Sequence, residues 1–351
     1  MQTFSLRPRI VFGPDALQAL QAWRDKRVLI VTDRFFTQSG LVKRLTDHLT
    51  PGSITVFDRV TPDPSLRLVA EGVAALRNCH PEGILALGGG SPMDCAKAIR
   101  HFSGGEGNIP LWCIPTTAGS GSEVTSFAVL TDTDQGQKYP IVDDRLLPET
   151  ALLDPNFLTG VPPAVTGDTG MDVIAHAVEA YVAKRANPFT DALAERAFGM
   201  AAEHLEEAVA GTYEARAAML YASCLAGIAF NGAGLGICHS LAHAIGGRYH
   251  VPHGRINAIL LPHVVRFNGE EIEAGKKYGR LAGLSGTSGT ARALAGKLVR
   301  LRSRIGIPDR MSETMAIQEV AIAAREDRCT ETNPRPVSTE NLTALLREVQ
   351  P

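Results

Sequence analysis

No run of apolar residues in this chain approaches the roughly 20 that a membrane-crossing helix needs. The N-terminal stretch MQTFSLRPRIVFG has neither the apolar centre nor the small-residue cleavage site of a secretory signal. Cysteine is sparse and scattered. Cys79, Cys95, Cys113, Cys224, Cys238 and Cys329 include no CxxC pair, which argues against a disulfide framework and a thiolate zinc site and suits a reducing compartment. Charge of one sign is missing too: Lys+Arg 35 against Asp+Glu 37 leaves a formal charge of −2, with no basic stripe for nucleic acid. Repeats, linkers and low-complexity tracts are also absent. The expectation is a soluble cytoplasmic protein with neither nucleic acid nor membrane as a partner.

What is present is a chain of 351 residues, 44% of them hydrophobic, which can bury a large core unaided. At about 150 residues per domain, that length suggests two domains, and the texture of the sequence divides accordingly. Residues 1–160 alternate short β-branched runs (27–33, 53–57, 83–87, 111–114) with amphipathic stretches (40–49, 66–77, 92–102). Apolar runs between helices are what a parallel sheet covered on both faces requires, so this half is expected to be a doubly wound, Rossmann-like α/β domain. Segments 126–132 and 137–142 read as a hairpin appended to it. Residues 161–351 are rich in Ala, Leu and Glu, as in 191–210 and 214–230, and are expected to be all-helical. A proline-containing loop at 332–338 precedes a last helix at 339–349.

Gly88-Gly89-Gly90-Ser91-Pro92-Met93-Asp94 follows a predicted strand and opens a predicted helix. Ser91 suits the cap, Pro92 the first helical position, and Asp94 completes a capping box. The glycines let backbone N–H groups approach a ligand, and the helix dipole favours a pyrophosphate there. A hydroxyl-rich loop, Pro115–Glu123 by position (PTTAGSGSE), follows the next strand, and in a doubly wound sheet both loops fall at the ligand-binding carboxyl edge. Asp33 ends the first apolar run, where an acid can accept hydrogen bonds from a ribose and repel a 2′-phosphate. Together these features favour NAD(H) over NADP(H).

Five of the ten histidines lie between His239 and His263. Asp172 and His176 are four apart, as are His239 and His243, so each pair projects from one helical face. Gly246-Gly247 is expected to break the second helix, and Pro252-His253-Gly254 to present another imidazole on a loop. Carboxylate and imidazole groups from different helices can converge on one divalent cation. On spacing alone, His243 and His253 remain rivals for the fourth ligand, while His263 reads as a packing residue.

These landmarks, GGGSPMDCAK at 88–97, PTTAGSGSE at 115–123, TGMDVIAHAVEAY at 169–181 and the imidazole-bearing stretch 234–262, resemble those of the iron-containing (group III) alcohol dehydrogenases over nearly the whole chain. The opening TFSL, the segment TPDP at 61–64 and NPRP at 333–336 are most similar to the propanol dehydrogenases of propanediol-utilising microcompartments. The resemblance implies an architecture like that of dehydroquinate synthase, with a site in the cleft between the two halves. It assigns Asp172, His176, His239 and His253 to the metal, Fe²⁺ with Zn²⁺ as the alternative, and places His243 beside the nicotinamide as a catalytic proton relay. Gly89, Gly90 and Ser91 match the pyrophosphate cradle, and Asp94 is counted with them among the cofactor-binding residues. Asp33, Asp63, Thr116, Thr117, Ser120, Thr125, Lys138 and Leu158 match other cofactor positions, although Asp63 stands where some members carry Asn. The implied activity is NAD(H)-dependent interconversion of short aldehydes and primary alcohols. A polyol dehydrogenase and a metal- and NAD-dependent lyase are the alternatives. A homo-oligomer, and shell or enzyme partners inside a microcompartment, are also implied.

Overall fold

The computed structural model describes residues 4–104, 109–132, 137–284, 286 and 288–351, with the side chains of residues 137 and 138 left aside. The chain falls into two compact units, one of residues 5–159 and one of residues 1–4 and 160–351.

The first unit is built on a six-stranded sheet of β1 (Arg9–Phe12), β2 (Val28–Val31), β3 (Ile54–Phe57), β4 (Gly83–Gly88), β5 (Leu111–Pro115) and β8 (Thr150–Leu153). Their spatial order is β1-β8-β5-β4-β2-β3 and every pairing is parallel. Counted from β2, this is the flavodoxin-like doubly wound order, extended by β1 at the far edge. Strands β2, β4, β5 and β8 are buried along their length, which is why the first three read as continuous apolar runs. The helices Leu66–Cys79 and Gly90–Phe102 pack on one core with Leu29, Val31, Ile84 and Ala86. The appended strands β6 (Phe127–Asp132) and β7 (Gln137–Val142) pair antiparallel, as expected. The order also fixes a switch point: chain connections leave β2 and β4 in opposite directions, and in doubly wound sheets ligands bind beyond the carboxyl ends of such strands.

The second unit is helical. Its longest members are Pro163–Val182, Pro188–Val209 and Tyr213–Ala233, followed by Ile237–Tyr249 and His253–Asn268. The first of these is buried at nearly every position from Thr166 onward, so its polar residues face the interior of the bundle. No single helix among the described residues is long and apolar enough to cross a membrane.

Three local expectations are corrected. The Gly90–Phe102 helix is capped by Gly89, so Ser91 and Pro92 lie inside its first turn and there is no Ser91–Asp94 box; the Asp94 carboxylate is drawn away by Ser122 and the Val129 N–H. Gly246-Gly247 does not break its helix, which runs on to Tyr249 and ends at a left-handed His250. Each glycine costs a helix about 1 kcal/mol relative to alanine, less than the packing of the apolar helix recovers. His253 stands not on a loop but at the first position of the His253–Asn268 helix.

Candidate metal centre and cofactor cradle

Asp172, His176 and Glu179 occupy positions i, i+4 and i+7 of the Pro163–Val182 helix and therefore share a face. His239 comes from the first turn of the Ile237–Tyr249 helix and His253 from the start of the next. A Cβ on Gly254 would lie 2.0 Å from the Asp168 carbonyl oxygen, so only glycine lets the third helix begin against the backbone of the first. Arg255 then clamps Asp168 through two hydrogen bonds of 3.1 Å.

The resulting side chains converge. Asp172, His176 and His239 present ligand atoms within 4.8 Å of one another. His253 Nε2 lies 3.7 Å and His239 Nε2 3.6 Å from Asp172 Oδ1. Two ligands each about 2.1 Å from one ion lie about 3.0 to 3.4 Å apart, so a shift of a few tenths of an ångström would bring them to a common centre. The His176 ring is stacked between Phe230 at 4.4 Å and His239 at 4.5 Å.

Asn257 tests the fit. Fully buried, its Nδ2 donates to Asp172 Oδ1 at 2.7 Å and lies 3.2 Å from His239 Nε2 and 3.1 Å from His253 Nε2. Two amide hydrogens face three potential ligand atoms, an arrangement that one cation satisfies more fully. A carboxylate and three imidazoles suit ferrous iron or zinc.

Charge supports the same conclusion. Burial would push the Asp172 carboxyl up, but the surrounding imidazoles hold it well below the usual range. Burial would likewise depress His239; its hydrogen bonds to the Asp172 and Glu179 carboxylates reverse that and lift it to about 9. The pocket thus favours a positive charge between buried carboxylates. Glu179 accepts from the His239 Nδ1 at 2.6 Å and from the Cys238 N–H at 2.8 Å, which fixes the ring and leaves Nε2 for the centre. Glu179 and Asn257 were missed in the sequence, although the i+7 spacing from Asp172 and the i+4 spacing from His253 mark them.

His243 does not join this group. Its Nδ1 is 2.9 Å from Asp327 Oδ2, and its ring stacks on His253 with centroids 5.3 Å apart. His263 pairs with Glu348 and packs against Arg266, as expected of a residue outside the site.

In the α/β unit the cradle is mostly backbone. Gly88 ends β4 with φ +149°, Gly89 caps the following helix, and the Thr116 N–H donates to the Gly88 carbonyl at 3.0 Å. A Cβ on Gly89 would lie 3.2 Å from Thr117 Oγ1, and one on Gly90 3.2 Å from Ser120 Cβ, so the two polar loops adjoin closely. Ser91 lies in the first helical turn with them. Asp33, just beyond β2, accepts the Phe35 and Phe36 N–H groups through Oδ1 and caps a short helix. Its carboxyl is raised by burial against the pull of those two bonds.

Asp94 and Thr125 spend their polar atoms inside the fold. Buried Lys97 donates to Ser122 Oγ at 2.8 Å, Thr125 Oγ1 at 3.2 Å and the Phe127 carbonyl at 2.7 Å, while Asp94 accepts from Ser122 at 2.6 Å. Glu123 beside them is 1% exposed, and burial pushes it up to about 7. Asp63 sits in an exposed bend at φ +55°, a conformation that Asn and Asp tolerate, which accounts for either residue there. Leu158 is buried in the turn Pro155–Leu158. Lys138 lies on β7, its side chain outside the described part.

Comparison with known proteins gives consistent findings across the chain. Residues 7–155 match the family described as iron-containing alcohol dehydrogenase, and residues 166–350 match the C-terminal part of the Fe-containing alcohol dehydrogenase family. The chain is 39% identical to a 1-propanol dehydrogenase of Citrobacter freundii, over 99% of this chain and 100% of the relative. A solved 1,3-propanediol oxidoreductase superposes with a TM-score of 0.92 at 36% identity, covering 99% of this chain and 100% of the other. A sulfoacetaldehyde reductase from Bifidobacterium kashiwanohense, solved with NAD+, gives 0.89 at 29% identity, covering 99% of each chain.

Proposed function

We propose, since this chain belongs to the iron-containing alcohol dehydrogenase family and is an alcohol oxidoreductase, that it reduces short aldehydes such as propanal and acetaldehyde to primary alcohols with NADH. The observation that carries this reading is the convergence of Asp172, His239 and His253 on the amide nitrogen of Asn257. Asp172, His176, His239 and His253 would hold Fe²⁺, with Zn²⁺ as the alternative; the ion would supply Lewis acidity and the nicotinamide hydride.

The remaining roles belong to the chain. Glu179 fixes the ring of His239. His243, oriented through Nδ1 by Asp327, keeps Nε2 for giving a proton to the alcohol oxygen as it forms, and recovers that proton from solvent. Gly89, Gly90, Ser91 and the helix start bind the pyrophosphate, and Asp33 accepts from the ribose. Asp63, Thr116, Thr117, Ser120, Lys138 and Leu158 complete the cofactor contacts, while Asp94 and Thr125, counted with them from the sequence, brace the adjoining loop through Ser122 and Lys97.

The test is elemental analysis of anaerobically purified protein, paired with an NADH-linked propanal assay before and after chelation. The expected result is about one iron per chain, NAD+ accumulating as aldehyde is consumed, and activity lost on chelation and restored by Fe²⁺. Full turnover without metal, or aldehyde consumed with no net NAD+, overturns the reading. The likeness to a 1,3-propanediol oxidoreductase favours a polyol dehydrogenase as the second reading, which a comparison of propanal with dihydroxyacetone decides. We also propose a cytoplasmic homo-oligomer, packaged in a bacterial microcompartment. Gel filtration and co-sedimentation with shell particles test those two points.

A further inference from the structure

Nothing in the sequence pairs Cys329 with a metal, yet the fold brings it to His243 and Asp327. One ligand atom from each of these three side chains lies within 4.8 Å of the other two. Asp327 caps the short Arg328–Thr332 helix, its Oδ1 accepting the Cys329 N–H at 2.8 Å and the Ser240 hydroxyl at 3.3 Å, while Oδ2 faces His243 Nδ1 at 2.9 Å. The carboxylate thus holds the thiol and the imidazole together. The side chains of His243 and Asp327 are 32% and 18% exposed, so the cluster is open to ions from solvent, unlike Asp172 and His239 at 9% and 1%.

We propose that His243, Asp327 and Cys329 form a second divalent-cation site, specific for a thiophilic ion such as zinc, next to the first and sharing no ligand with it. Sulfur, imidazole nitrogen and carboxylate oxygen are the ligands zinc takes in threes when it keeps a fourth position for water, and the thiolate discriminates against iron and magnesium. Binding is proton-balanced: Asp327 is already ionised, the His243 proton moves from Nδ1 to Nε2, and the Cys329 thiol proton goes to solvent. The consequence is regulatory. A zinc ion on Nδ1 leaves Nε2 protonated and takes His243 out of proton exchange, so zinc inhibits the iron-loaded enzyme without displacing its iron.

The experiment adds zinc or cadmium to iron-loaded protein under anaerobic conditions. Turnover, retained iron, bound ion per chain and the ultraviolet cadmium–thiolate band are followed together. One extra equivalent, full retention of iron, a thiolate band and a fall in turnover of about tenfold or more are expected. Cys329→Ser, with Cys329→Ala as a second variant, should keep iron and basal turnover while losing the band and raising the inhibitory zinc concentration at least about tenfold. The proposal is overturned if inhibition follows iron release, if wild-type protein binds cadmium without the band, or if the variants are inhibited like wild type. Turnover before zinc is added reads the aldehyde reductase assignment separately, so the two can fail independently.

Discussion

The candidate cradle in the α/β unit is made of backbone, whereas the proposed metal centre in the helical unit is made of side chains that other side chains hold in place. In the cradle, Gly88, Gly89 and Gly90 set the path, and hydroxyl-bearing Thr117 and Ser120 come within a Cβ's reach of it. In the centre, Asp172, His239 and His253 are positioned by Glu179, Asn257 and the close approach at Gly254. A backbone site tolerates little added volume but is indifferent to charge. A site built of ionisable side chains responds in the opposite way.

The largest effect should therefore come from one methyl group in the cradle. In Gly88→Ala, the new Cβ sits 2.4 Å from Pro92 Cγ at a φ of +149°, which side chains rarely adopt. Strain and overpacking together should cost about 3 kcal/mol in the α/β unit, lowering its thermal midpoint by roughly 10 °C. NADH binding should weaken as well. Iron content, by elemental analysis, should stay at the wild-type level. A parallel loss of iron would break the contrast.

Legibility follows the same division. Histidine and aspartate spacing displays itself in a sequence, because the 3.6-residue period alone decides which side chains share a face. That is how Asp172–His176 and His239 could be read. The rivalry of His243 and His253 could not be resolved by spacing, since it depends on Asp327, which lies 84 residues from His243 and turns that ring aside. Backbone features are quieter. Strands β1 and β8 were missed because RIVF and TALL are four-residue segments whose pairing, Arg9 with Thr150, is wholly non-local. Local propensity favours serine as the cap and so points to Ser91 rather than Gly89, while the competing pull of Ser122 and Val129 on Asp94 is tertiary.

A carboxylic acid inside the backbone-made unit sharpens the comparison. Glu123 is 1% exposed and its Oε1 has no hydrogen-bond partner among the described residues. Burial lifts it from 4.5 to about 7 against weaker opposing pulls from its own backbone and Lys97. Its proton is held more tightly folded than unfolded, so its contribution to stability is intact below pH 4.5 and lost as pH rises through 7. A shift of this size corresponds to about 3 kcal/mol at most, and somewhat less if the unit relaxes. Glu123→Gln carries no ionisable proton, so urea midpoints at pH 5 and pH 8 should differ less than in wild type. Equal pH dependence in both proteins would mean that Lys97 neutralises the charge, and that ionising Glu123 costs this unit nothing.

The smallest expected change tests the side-chain-made centre at its weakest-looking member. Glu179 touches no ion; it accepts from His239 Nδ1 at 2.6 Å and from two backbone N–H groups at 2.8 and 3.3 Å. Glu179→Gln preserves shape and can still cap the Ile237–Tyr249 helix with its remaining oxygen. It removes the charge that fixes the tautomer of His239 and offers an N–H where that ring needs an acceptor. Either the ring turns or one hydrogen bond is lost, and iron affinity should fall about 10- to 100-fold, with NADH affinity unchanged. Anaerobic competition against a chelator of known affinity measures the first quantity, and fluorescence titration of NADH the second. Undiminished iron affinity would show that helix packing alone holds His239, and the centre would then be as much a backbone construction as the cradle.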